Sequence, residues 1–360
     1  MVRVAVAIGL LSIAPSVDRP AAAEVGRHAG WVRAVRSHGL DPDRVTDPFR
    51  TSPEMEAWVR SVVASETWGS DLDRLALIQR ALFDADAFDF VYDEGLTLTA
   101  EQAFIERRGN CLSFTVLFVA LSRSVGIDTF LVAVERDPEV ERDGDLVVIN
   151  RHVVAGYRSG SGLVTFDFTT SSTALPAERR VIDDVRASAM FHANVGGAEL
   201  RVGDNREALR HLEIATRLAP DWSSGWVNLG VALARLGDDD RAFAAYRNAL
   251  VADPGNASAL NNLSALYARS GRTEEATIAL RAAAETTDSP FTLIAIADSE
   301  IMSDRPAKAA RFLLRARRQH PRQPEVFDAL ARLAYARGHT TRGDRFRARA
   351  DRLREQRAAD

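Results

Sequence analysis

The chain holds one cysteine, Cys111, and the residues around it give that thiol a place to work from. Gly109-Asn110 breaks the chain and a strongly apolar run starts at Cys111, so the spacing predicts a helix that carries the thiol at its N-terminus. A thiol attacks an acyl carbon as the thiolate, a form favoured by the positive end of a helix dipole and by a nearby imidazolium. His152, in Asn150-Arg151-His152-Val153-Val154-Ala155-Gly156, could supply the imidazolium and later protonate a leaving amine. Asp167, in Thr165-Phe166-Asp167-Phe168-Thr169, would then fix the ring's tautomer and orientation. Each residue also has a plainer reading. A lone cysteine in an apolar helix is usually buried packing, and a strand histidine can be a satisfied core residue. The helix-start position after Gly-Asn argues against the first, and the other six histidines have no context like that of His152. An unpaired inward carboxylate is costly, which makes Asp167 hard to dismiss as filler. No second soft ligand accompanies Cys111, so no metal site is expected, and no cofactor is called for.

The elements that must position these residues can be read from capping and periodicity. Residues 24–50 carry Pro, Asp and Gly with weak periodicity and read as irregular or partly helical. Ser52-Pro53-Glu54 starts a helix, and Ser70 caps a second with the apolar stripe Leu75, Leu77, Ile78 and Leu82. A third short helix follows Thr99, carrying Ala103, Phe104 and Ile105. The helix opened by Cys111 buries Leu117, Leu121 and Val125 and ends at Gly126. Strand-like runs follow at 129–135, 146–157 and 163–168, with a charged loop over 136–145 and a turn over 158–162. Helices followed by an antiparallel sheet make an α+β arrangement. If Tyr157 pairs with Gly162 across a four-residue turn, His152 and Asp167 fall directly opposite each other, with Cβ atoms roughly 5 Å apart.

The run Arg107-Arg108-Gly109-Asn110-Cys111-Leu112-Ser113, continuing through Leu117, Ala120, Leu121 and Arg123 to Gly126-Ile127, resembles the active-site segment of the transglutaminase-like superfamily of papain-like cysteine enzymes. In that family a histidine follows on a strand and an aspartate on the next, the places held here by His152 and Asp167. The resemblance covers about residues 70 to 175. It implies a papain/transglutaminase-like core and a thiol acyl-transfer activity (protease, amidase or transamidase) with Cys111, His152 and Asp167 as the catalytic triad. It leaves the acceptor, water or amine, open. The backbone N–H of Cys111 is a natural first oxyanion donor. Relatives take a second from upstream of the cysteine. Gln102 falls on a helix rather than in that role, and the pattern does not rank Trp58 against Trp68.

Beyond residue 188 the strand signals stop and a period of 34 or 33 appears, marked by Pro220, Pro254 and Pro321. Trp226, Leu260, Leu293 and Phe327 share one position of the unit. Val195, Leu229, Leu263, Ile296 and Leu330 share a second. Ala208, Ala242, Ala276 and Ala309 share a third, and Ala215, Ala249, Ala283, Ala316 and Ala350 a fourth. This is the pattern of the tetratricopeptide repeat. Small alanines let paired helices approach, large residues fill the gap, and proline stops the second helix. Gly230 holds the unit's small position, which Ser264, Ala297 and Ala331 also occupy. In the last unit Gly343 replaces the first alanine and Arg347 an aromatic, giving the polar closing unit that a solenoid end requires. The expected organisation is an export signal over 1–23, a transglutaminase-like domain over 24–188, an all-α solenoid of about five repeats over 189–352, and a polar tail over 353–360. Asn194, Asn228 and Asn262 recur at one unit position. In many such arrays it faces the groove that holds a protein or peptide partner, so these three are the partner-binding candidates.

The bulk numbers set limits on function. With 360 residues, 46% hydrophobic and 27% charged, the composition is that of an ordinary globular protein with room for two cores. From Arg305 onward lie 16 of the 46 Lys/Arg but only 6 of the 50 Asp/Glu, a basic end on an acidic body. A solvated, Arg-rich helical face accounts for it. Nucleic acid is not an expected partner, because few aromatics (Phe312, Phe327, Tyr335 and Phe346) interleave the arginines there and no recognition motif is present. At the N-terminus Arg3, the apolar run Val4–Ala14 and Ala21-Ala22-Ala23 read as an export signal, which places the chain in the periplasm or outside the cell, with the cytoplasm as the alternative. The apolar run is too short to span a bilayer. Two function classes follow. One is a thiol acyl-transfer enzyme whose repeats bind a partner. The other is a non-catalytic scaffold in which the repeats do the work and the front domain is vestigial.

Overall fold

The computed structural model describes residues 19–64, 69–84, 86, 88–143, 146–160, 162–167, 178–286 and 289–359. Two compact units divide the chain, one made of 1–138 and 151–191, the other of 139–150 and 192–360. Among the described residues no helix is long and apolar enough to cross a membrane.

In the first unit the helices are α1 (Arg19–Ser37), α2 (Pro53–Val63), α3 (Asp71–Phe83), α4 (Ala100–Glu106) and α5 (Cys111–Ser124). The starts read from the sequence are the observed ones. Ser52 accepts from the Met55 N–H at 3.3 Å with Pro53 at the first position, and Ser70 and Thr99 each form a capping box, with Asp73 and Gln102. Every side chain of α5 from Leu112 to Ser124 is buried, so this helix is the axis of the unit. Two short strands, β1 (Val91–Tyr92) and β2 (Arg108–Gly109), pair in parallel. The main sheet comprises β3 (Thr129–Asp143), β4 (Leu146–Ser159), β5 (Gly162–Phe166) and β6 (Glu178–Ile182), in the order β5-β4-β3-β6.

Four features differ from the sequence reading. The segment 24–50 is more ordered than expected, because α1 runs from Arg19 to Ser37, with Val35 and Trp31 buried and the Trp31 indole donating to Ser188 Oγ at 3.0 Å. Ala21-Ala22-Ala23 lie inside this helix, whereas residues 1–18 of the expected export signal lie outside the described residues. The charged stretch 136–143 continues β3 rather than forming a loop. A strand needs its backbone groups paired, and charged side chains do not prevent that pairing. The sheet also gains β6, a charged edge strand (Glu-Arg-Arg-Val-Ile) with no apolar alternation to announce it. Finally, the β4–β5 turn is tighter than assumed, since Ser159 pairs with Gly162 and Tyr157 with Val164.

The second unit is built from helix pairs. Helices α6 (Asp184–Val202), α8 (Ser223–Arg235), α10 (Ala257–Arg269), α12 (Pro290–Met302) and α14 (Pro324–Ala336) alternate with α7 (Asn205–Leu218), α9 (Asp239–Ala252), α11 (Thr273–Thr286), α13 (Pro306–Gln319) and α15 (Thr340–Ala359). The boundary between the units falls within α6. The alanine register explains the packing, because Ala215, Ala249, Ala283, Ala316 and Ala350 are all fully buried. At the small position a Cβ on Gly230 would lie 2.3 Å from the Tyr246 ring. The last pair inverts the arrangement. There the ring comes from Tyr335 on α14 and the glycine is Gly343 on α15, with the same 2.3 Å conflict for an added Cβ.

One buried polar pair sits in the first repeat. His192 Nδ1 and His211 Nδ1 are 2.8 Å apart, and the Arg210 guanidinium reaches His211 Nε2 at 2.8 Å. Burial, then the neighbouring His211 and Arg210 charges, push His192 down to about 3. The folded value lies below the unfolded one near 6.5, so the stability tied to the neutral ring is full above that pH and is lost as pH falls toward 3. Between pH 7 and pH 5 the wild type is therefore expected to lose roughly 2 kcal/mol more than His192→Gln, which keeps an acceptor but does not titrate. Denaturant melts of the full chain at the two pH values measure the difference; equal losses would contradict it.

Candidate functional site

The thiol is presented by a short, heavily braced loop. Asn110 is the N-cap of α5, its Oδ1 accepting from the Ser113 N–H at 3.1 Å. Asn110 is itself fixed by its N–H to Leu96 O at 2.8 Å and by its Nδ2 to Thr97 Oγ1 at 2.7 Å. Ser113 Oγ accepts from the Leu98 N–H at 2.8 Å, so residues 96–98 clamp the helix start. Cys111 is the first helical residue and is half-buried, whereas the side chains that follow it are buried. At this position its thiol meets the positive end of the helix dipole, and its own N–H has no acceptor within the helix.

Gly109 is required for this geometry. Its φ is +151°, and a Cβ there would lie 2.4 Å from Ser113 Cβ. Gly109→Ala is expected to cost about 2 kcal/mol or more, from overpacking and backbone strain together. A denaturant melt checks this, and a stability equal to wild type would show that the loop can relax.

Two contacts of α5 place the other two residues. Thr115 Oγ1 donates to Val153 O at 3.1 Å, one residue from His152, and Phe118 stacks on Phe166 at 5.1 Å between ring centroids, one residue from Asp167. Gln79 Nε2 of α3 also donates to Asp167 O at 2.7 Å. His152 Nε2 and Asp167 Oδ2 are 2.7 Å apart, both side chains largely shielded from water. The assumed register was off by two, because the ladder pairs Ala155 with Phe166. Carried one step past the strand, it puts Asp167 opposite Val154, making His152 its diagonal neighbour. A shift of two keeps both side chains on one face, which is why the contact survives the correction.

The His152 ring has two partners. Its hydrogen bond with Asp167, then that with Cys111, outweigh burial and raise its value to about 9. The structure thus gathers Cys111, His152 and Asp167 at one point. Among the upstream residues, Gln102 Oε1 accepts from the Thr99 N–H at 3.0 Å and so serves the α4 cap. Trp58 packs among Phe88 and Phe104, and Trp68 lies outside the described residues. Tyr92 went unnoticed in the sequence. It pairs with Gly109, is 44% exposed, and is pushed up to about 12 by burial and by the negative charges of Cys111, Glu94, Asp167 and Asp93. The signal for it was the β-forming triplet Phe90-Val91-Tyr92 ahead of the turn at Asp93-Glu94-Gly95. In the second unit, Asn194 is exposed on α6, and Asn228 and Asn262 are half-buried on α8 and α10.

Residues 56–168 match the transglutaminase-like superfamily, and residues 196–257 and 245–277 match two tetratricopeptide repeat families. The chain carries a transglutaminase-like domain followed by tetratricopeptide repeats. No curated protein matches it. Among solved structures it is similar to PilF of Pseudomonas aeruginosa, at 23% identity over 47% of this chain and 78% of that one, with a TM-score of 0.42. MamA from Desulfovibrio magneticus RS-1 matches at 20% identity over 47% and 96%, with a TM-score of 0.39. YrrB matches at 14% identity over 46% and 86%, with a TM-score of 0.36. The transglutaminase-like match spans Cys111, His152 and Asp167 together with α3, α4 and α5.

Proposed function

We propose that the transglutaminase-like domain is a thiol-dependent acyl-transfer enzyme and that the repeats hold its protein or peptide partner. One observation carries the reading: a single imidazole, His152, stands 2.7 Å from the Asp167 carboxylate and has its pKa raised by Asp167 first and Cys111 second. In this scheme Cys111 Sγ attacks an acyl carbon as the thiolate of a thiolate–imidazolium pair. The S–C bond forms as the carbonyl π pair moves onto oxygen. When that pair returns, the bond to the leaving group breaks, and a departing amine takes the proton from His152. Water or an amine then cleaves the thioester, with His152 accepting the incoming proton. Asp167 keeps Nε2–H in place and stabilises the charged ring without itself being protonated.

For the partner, the reading rests on Asn194, Asn228 and Asn262, repeated at 34-residue intervals on the first helices of successive units. An extended segment can be gripped through its backbone by such a ladder of amides, one per unit.

p-Nitrophenyl acetate tests the enzyme reading without knowledge of the natural substrate. The expected result is a burst of p-nitrophenol equal to the protein present and an acetyl adduct on Cys111, absent in Cys111→Ala. No burst and an unmodified Cys111 would sink the reading and favour a scaffold in which only the repeats act.

A further inference from the structure

We infer that the Tyr92 hydroxyl is the second oxyanion donor, completing with the Cys111 N–H the site that holds the developing negative charge. The inference rests on the acyl-transfer reading above, which leaves that second donor unassigned.

The geometry comes from the small parallel pair. Val91 N–H donates to Arg107 O at 2.9 Å and Asp93 N–H to Gly109 O at 3.0 Å, so Tyr92 is bracketed against the loop that presents the thiol. In register, Tyr92 is the partner of Gly109. Paired residues on neighbouring strands direct their side chains to the same face. The face in question is known, because a Cβ on Gly109 would run into Ser113 at 2.4 Å. Ser113 belongs to the first turn of α5, two residues after Cys111. The Tyr92 side chain therefore faces the first turn of α5, the turn that begins at Cys111. Its charge environment agrees, for its phenol feels both Cys111 and Asp167, residues distant in sequence.

The chemistry suits a phenol. A donor to an oxyanion must stay protonated through the working range, and Tyr92 does. With Tyr92 partly exposed, an incoming acyl group can reach it. Other upstream side chains fit less well. Gln102 is engaged at the α4 cap, and the Trp58 ring is wedged between Phe88 and Phe104. When Cys111 Sγ adds to the carbonyl carbon, the displaced π pair resides on the oxygen, where the Cys111 N–H and the Tyr92 O–H both donate. Collapse of the adduct returns the pair to the C–O bond, and Tyr92 keeps its proton throughout.

Two probes separate this role from an effect on the thiol itself. Acetylation by p-nitrophenyl acetate passes through a tetrahedral oxyanion, whereas alkylation by iodoacetamide is a direct displacement with no such intermediate. In Tyr92→Phe, which removes the hydroxyl and keeps the ring, acetylation of Cys111 is expected to slow by about 10²-fold, the usual loss for one oxyanion donor. Alkylation should proceed at the wild-type rate, which also reports that the loop has folded. Unchanged acetylation would overturn the inference. Equal slowing of both reactions would also overturn it, by showing that Tyr92 acts on the thiol. A wild type that resists acetylation at Cys111 would instead remove the reading on which the inference stands.

Discussion

Asp167→Asn is expected to slow acyl transfer at Cys111 by about 10³-fold or more while leaving the chain folded. The backbone carbonyl of Asp167, which accepts from Gln79, is untouched by the change, and Phe166 still stacks on Phe118. What is lost is the carboxylate that sits 2.7 Å from His152 Nε2. That hydrogen bond is the largest cause of the raised His152 value of about 9, so the ring of the variant should titrate at a distinctly lower pH. The sign follows from linkage. The folded value exceeds the unfolded one near 6.5, so the stability tied to the protonated ring is full below pH 6.5 and is lost as pH rises through 9. For a value moved from 6.5 to about 9 it is on the order of 3 kcal/mol, shared between Asp167 and Cys111. NMR titration of the His152 ring gives the midpoint, and acetylation kinetics give the rate. A midpoint that stays near 9 in Asp167→Asn would show that the carboxylate does not hold the ring.

His152→Ala removes the group that both other residues contact. In the proposed mechanism the imidazole is the general acid for a leaving amine and the cation beside the thiol, and the substitution removes both. Acetylation is expected to fall by about 10²–10⁴-fold, the range typical of a positioned acid–base group. His152 lies on β4, beside Val153, whose carbonyl accepts from Thr115 of α5. That backbone anchor survives the substitution, so the variant should still fold, with some loss of stability from the missing ring, and the larger loss should appear in rate. A double variant, His152→Ala with Asp167→Asn, should be little slower than His152→Ala alone, because Asp167 acts only through the ring.

How much of this was legible in the sequence depends on what each feature required. The start of α5 was legible because Gly109, Asn110 and Cys111 are local signals, and the cap and the left-handed glycine are local geometry. The repeats were legible because buried alanines recur at a fixed interval. The His152–Asp167 contact was anticipated from a register two residues out, and it survived because strand faces repeat every two residues. Tyr92 was missed because a two-residue strand has no periodicity, and its meaning comes from pairing with Gly109, 17 positions on. Helix α1 was read only as partly helical, because weak periodicity hid buried residues anchored by Ser188, far along the chain. Strand β6 is an edge stabilised by β3, and no pattern within its own five residues reveals that. Long-range pairing decided each feature that local chemistry did not.

In the proposed enzyme His152 stands beside Cys111 and keeps the thiol reactive. The most direct measurement is the rate of Cys111 alkylation by iodoacetamide at pH 6, wild type against His152→Ala. The wild type should be at least about tenfold faster, since a neighbouring imidazolium activates a thiol toward electrophiles. Equal rates in the two proteins would contradict the account.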